Sequence, residues 1–178
     1  METSMNHACT VALSAAILCL ASASTVFAHA TLETKEAPAG SFYKAVIRVG
    51  HGCEGTATTS IRVQIPEGVI AVKPMPKPGW QLATKEGQYA QAYDYYDEKL
   101  TKGVTEVSWT GGSLPDTWYD EFVFRAKLPN SPAGTVIYFP IVQQCEKGVH
   151  RWIEIPEPGK TADDYKEPAP GVTITAKP

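Results

Sequence analysis

The 178-residue chain carries 16 Lys and Arg against 19 Asp and Glu, with 20% charged and 43% apolar residues. That balance fits one folded domain with enough apolar material for a core, and it argues against disordered, collagen-like and helical-array architectures. A net charge of -3 without any basic run gives little grip on a phosphate backbone, so nucleic acid is not an expected partner.

At the start of the chain, residues 9–23 form an uncharged apolar stretch too short to cross a bilayer comfortably. Val26 and Ala28 then supply the small-residue pattern of a signal-peptidase site. The expected organisation is a signal peptide over residues 1–28, cleaved after Ala28, followed by a single domain over 29–178. No later run approaches the roughly 20 apolar residues of a membrane helix. The processed chain is therefore expected in a periplasm or secreted, without a transmembrane anchor. Cleavage leaves two cysteines, Cys53 and Cys145, and in an oxidising compartment two such residues pair by default.

Along the rest of the chain, short runs rich in Val, Ile, Thr, Tyr and Phe are bounded by Gly or Pro, as strands are. The expected strands cover residues 43–49, 61–65, 69–73, 80–84, 88–95, 104–109, 122–127, 135–144, 149–155 and 172–176. Ile61, Val63 and Ile65 alternate with Arg62 and Gln64; Phe122, Phe124 and Ala126 alternate with Val123, Arg125 and Lys127. Period two implies one buried and one exposed face. Pro66–Gly68, Pro78-Gly79, Gly111-Gly112 and Pro129–Pro132 mark expected turns, and 156–171 reads as a strapping loop. About ten short strands without an amphipathic helix predict an all-β sandwich of immunoglobulin or cupredoxin type.

The chemistry concentrates at His29, which cleavage would make the first residue. An α-amine and a ring Nδ1 on one residue can close a six-membered chelate, and the amine's reference pKa of about 7.7–8.0 lets a divalent ion displace its proton. Nitrogen donors in this arrangement suit Cu(II), which tops the divalent affinity series. The sharp reading is a histidine brace for copper; the plain one is a terminus that happens to begin with histidine. Trp80, Trp109 and Trp118 are expected in the core. His51 and His150 each lie near a cysteine, ingredients of a blue-copper centre if Cys145 stays reduced; with the disulfide formed they become residues packed beside it. Asp120 and Glu121, adjacent in a strand, point to opposite faces and do not share a substrate atom.

The run His29-Ala30-Thr31-Leu32, Glu36, Gly40, Val49-Gly50-His51-Gly52-Cys53, Thr58, Gln64-Ile65-Pro66, Val72-Lys73-Pro74, Pro78-Gly79-Trp80, Leu114-Pro115, Phe122-Val123-Phe124 and Arg151-Trp152 resembles the YcnI-like copper-associated proteins of bacteria. The likeness covers almost the whole processed chain; Gly50 stands where many relatives have proline. It implies an extracytoplasmic sandwich binding one Cu(II) per chain through a single-histidine brace, with Glu36 as the carboxylate and Trp152 beside the metal. Seven residues of straight strand span roughly 23 Å, so Glu36 reaches a metal at His29 only if the intervening segment bends back. For Trp152 the structural alternative is ordinary core packing between Arg151 and Ile153. The function so implied is non-enzymatic copper trafficking or homeostasis, with a periplasmic copper chaperone or a membrane copper transporter as partner. The alternatives are a copper-dependent oxidative enzyme of polysaccharide monooxygenase type, whose second histidine would be His51 or His150, and a metal-free binding sandwich.

Overall fold

The computed structural model describes residues 29–177, and the signal peptide expected over 1–28 lies outside the described residues. In chain order the strands are β1 (Thr31–Leu32), β2 (Glu36–Pro38), β3 (Phe42–Val49), β4 (Thr58–Gln64), β5 (Ile70–Pro74) and β6 (Gln81–Tyr95). They continue with β7 (Glu98–Leu114), β8 (Asp120–Lys127), β9 (Val136–Tyr138), β10 (Ile141–Cys145), β11 (Val149–Trp152) and β12 (Gly171–Thr175). A four-stranded sheet, β1-β3-β8-β5, faces a five-stranded sheet, β11-β10-β4-β7-β6, and a small sheet β2-β12-β9 closes one side. The expected all-β sandwich is the observed architecture.

Alternation sets the layers. Ile61 and Val63 of β4 are fully buried while Arg62 and Gln64 are exposed, and Ala45 and Ile47 of β3 meet Phe122 and Phe124 of β8 in the same core. Trp109 and Phe122 pack edge to face with ring centroids 5.6 Å apart. Val123, expected on the outer face of β8, is buried as well.

The strands differ from the expectation where glycine was taken as punctuation. Residues 80–84 and 88–95 are not two strands, since β6 runs unbroken for 15 residues against the 17 of β7, with Gly87 registered opposite Gly103. Gly111-Gly112 lies inside β7 rather than in a turn. Gly111, at φ +73°, sits where the β4 register slips between Thr58 and Ser60. A Cβ on Gly112 would fall 2.2 Å from the Trp80 ring, so the glycine makes room for the indole. The expected strand over 135–144 divides at Phe139-Pro140, where the chain leaves the small sheet and joins the five-stranded one. Trp80 and Trp109 pack inward as expected. Trp118 does not: it is 64% exposed in the connection between β7 and β8.

Candidate metal centre

β1 and β11 are edge strands of the two large sheets, and the residues flanking them meet at one edge of the sandwich. His29 enters β1, Trp152 ends β11, and their rings pack edge to face with centroids 5.6 Å apart. The structure thus brings together two of the three residues that the family resemblance assigns to copper. His29 Nε2 is shut off from solvent. With that end of the ring turned inward, Nδ1 on the main-chain side is the nitrogen that could chelate together with an α-amine at residue 29. Beside His29 lies a partly open cavity of about 220 Å³, whose lining includes Lys35, Tyr138, Lys160 and Gly171.

Glu36 is placed differently. The chain does bend: β1 ends at Leu32, residue 33 turns, and β2 begins at Glu36 in another sheet. The bend is held by the Tyr43 hydroxyl donating to the Thr34 carbonyl and by Glu33 N–H on the Val46 carbonyl. Beyond it Glu36 registers with Thr173 of β12 and is exposed, and it is Lys35, not Glu36, that shares the cavity with His29.

Burial and the neighbouring Glu33 charge push the Tyr43 phenol up to about 12. An unfolded chain releases that proton near pH 10 and the folded one near 12. The tyrosine's contribution to stability is therefore complete below pH 10 and lost as pH rises through 12. Urea midpoints measured from pH 9 to 12 are expected to fall, and Tyr43→Phe is expected to remove part of that fall.

Trp152, only 2% exposed, is held in place by a buried amide. Its Nε1–H donates to Gln143 Oε1 at 3.0 Å, and Gln143 Nε2 donates to the His51 carbonyl at 2.7 Å and Thr58 Oγ1 at 2.8 Å. Gln143 itself is 1% exposed. Gln143→Leu would leave a buried indole N–H and a carbonyl without their partner, so it is expected to lower unfolding free energy by about 2–4 kcal/mol in urea denaturation. Sequence reasoning passed over Gln143, yet its signal was present. It occupies the inward parity of β10, between buried Ile141 and Cys145.

His51 and His150 join the same cluster. His150 stacks on Trp152 with centroids 4.7 Å apart and planes at 26°, and the His51 ring lies 5.5 Å from that of His150 and 6.4 Å from the indole. Glu167, in the strap between β11 and β12, accepts from His150 Nδ1 at 2.8 Å and from the Arg151 N–H at 3.1 Å. No alternation or spacing pointed to this carboxylate, because it reaches β11 from a loop. The Cys53–Cys145 disulfide is formed, which removes the thiolate that a blue-copper centre requires. Among the described residues no three His, Cys, Asp or Glu side chains converge as a ready-made metal cage, and no helix is long and apolar enough to cross a membrane. Asp120 and Glu121 diverge as expected, one to Lys77 and the other towards Arg48.

The model of a domain of unknown function, DUF1775, the family of the YcnI-like proteins, matches residues 29–174. Among solved structures, an uncharacterized protein from Nocardia farcinica, described as having an immunoglobulin-like fold, superposes with a TM-score of 0.61 at 23% identity. That match covers 83% of this chain and 99% of the other. At such identity it speaks for the fold alone. No curated protein matches the chain.

Proposed function

The chain belongs to the DUF1775 family, and on that premise we propose that it is a copper-carrying protein that works outside the cytoplasm. It holds one Cu(II) through the α-amine and imidazole Nδ1 of His29, once cleavage after Ala28 has made that residue the first. The observation carrying this reading is the seating of the His29 ring against buried Trp152 with Nε2 turned inward. That seating fixes the ring before metal arrives, so less orientational freedom is lost on binding. The indole beside it supplies a dry, apolar flank, and the neighbouring cavity leaves room for water or an exchanging ligand.

Copper is cargo in this reading. A site at the start of the chain and at the edge of the sandwich suits capture and handover to a copper chaperone or a membrane copper transporter. Glu36, the carboxylate the resemblance adds, stands outside the cavity, so its entry into the ligand set requires the 33–35 bend to shift. The test is a thermal melt of the chain beginning at His29. A ligand specific to the native state stabilises it by about 2.7 kcal/mol at a hundredfold excess over its Kd. For a domain of this size the expected rise in Tm with Cu(II) is about 5–10 °C. A Tm indifferent to copper would contradict the reading.

A further inference from the structure

We propose that His51 and His150 form a second metal position, distinct from the brace, for a borderline transition-metal ion with copper as its tightest occupant. The two imidazoles come from different elements, one from the loop between β3 and β4 and the other from β11, yet their centroids are 5.5 Å apart with planes at 85°. Their ring nitrogens are sorted by what Nδ1 meets. His150 Nδ1 is bonded to Glu167 Oε1 at 2.8 Å, and His51 Nδ1 is bonded to the Gly52 carbonyl. Each acceptor is an oxygen, so in the neutral ring Nδ1 carries the proton and the lone pair falls on Nε2. A carboxylate or carbonyl behind one nitrogen, fixing the tautomer and raising the basicity of the other, is the outer arrangement that metal-binding histidines carry.

The spacing fits an ion between them. With metal–nitrogen bonds of about 2.0–2.1 Å, an ion lies roughly 3.2 Å from each ring centre, so rings at the observed separation subtend about 120° at the metal. Three- and four-coordinate sites accept that angle, with water as the remaining ligand. Imidazole nitrogen favours copper and zinc over the hard cations.

Both ligands are held on short tethers. The His51 carbonyl accepts from Gln143 Nε2, Gly52 N–H donates to Asp116 Oδ1 at 2.9 Å, and the Cys53–Cys145 disulfide ties the loop to the end of β10. His150 is stacked on Trp152. The pair also lies against the indole that His29 touches, which places the second position within the same cluster as the first.

The site does not use the α-amine, and this separates its test from that of the brace. The chain beginning at His29, acetylated at its α-amine, is titrated with Cu(II) and read by native mass spectrometry and pulsed EPR. The expected result is one bound Cu(II) showing two coordinated imidazoles. Either His51→Ala or His150→Ala is expected to weaken it at least tenfold, and Glu167→Gln about tenfold through the outer shell. Melts of the metal-free variants check folding, and His51→Gln and His150→Gln, which keep the side-chain bulk, replace any alanine variant that melts low. Failure of the acetylated chain to bind copper, or binding unchanged in the His51 and His150 variants, would overturn the second site and leave the brace standing. Equal binding by acetylated and unmodified chains would overturn the brace and leave this site standing.

Discussion

Acetylating the α-amine of a chain that begins at His29 is expected to lower its affinity for the first Cu(II) equivalent by at least about 1,000-fold, which is about 4 kcal/mol. The size follows from what the modification removes. The amine and Nδ1 belong to one residue, so both donors are delivered together and the second nitrogen binds at little further entropic cost. An acetylated nitrogen is an amide and no longer donates a lone pair at neutral pH, so the chelate opens to a single imidazole. The His29 ring packs against Trp152 and His29 is not among the core residues, so acetylation of its nitrogen is expected to leave the fold intact. The loss therefore reports ligation rather than folding. His29→Ala, which keeps the amine and deletes the ring, is expected to show a loss of similar size. Competition titration against a chelator of known affinity checks both, and a loss below tenfold in either would contradict the brace.

Reducing the disulfide, or replacing both cysteines by alanine, is expected to lower unfolding free energy by about 3–5 kcal/mol. Cys53 and Cys145 are 92 residues apart in sequence, so the bond closes most of the domain into one loop and removes a large share of the unfolded chain's freedom. For a domain of this size the expected fall in Tm is about 10–15 °C, checked by calorimetry of the oxidised and reduced protein. The effect reaches the candidate metal centre as well. Cys53 lies two residues after His51, and Cys145 ends the strand that carries Gln143, so the bond braces the loop and strand behind Trp152. A reduced protein that melts within about 2 °C of the oxidised one would contradict the assigned role.

The fold was largely legible because strand alternation is a local property: Ile61, Val63, Phe122 and Phe124 declare their buried face without reference to anything distant. The strand boundaries failed where glycine serves packing instead of turning. Gly112 is glycine because Trp80 lies on it, and Gly87 and Gly103 face each other across a long hairpin. Pairing of Cys53 with Cys145 followed from there being two cysteines in the processed chain, and the structure forms that bond. The site was legible in part. His29 and Trp152, 123 positions apart, were joined by a family resemblance and meet in the structure. Glu36 was joined to them by the same resemblance and does not, because β2 pairs with β12 and carries it to the outer face of the small sheet. Glu167 and the pairing of His51 with His150 are set by a loop crossing and a disulfide, long-range features that residue spacing does not encode.

The most direct test of the copper brace is the EPR spectrum of the chain beginning at His29, loaded with one equivalent of Cu(II). It should be a tetragonal spectrum with nitrogen coupling from one imidazole and one amine, replaced by a different spectrum when the α-amine is acetylated. A spectrum that acetylation leaves unchanged would show that copper sits elsewhere and would contradict the brace.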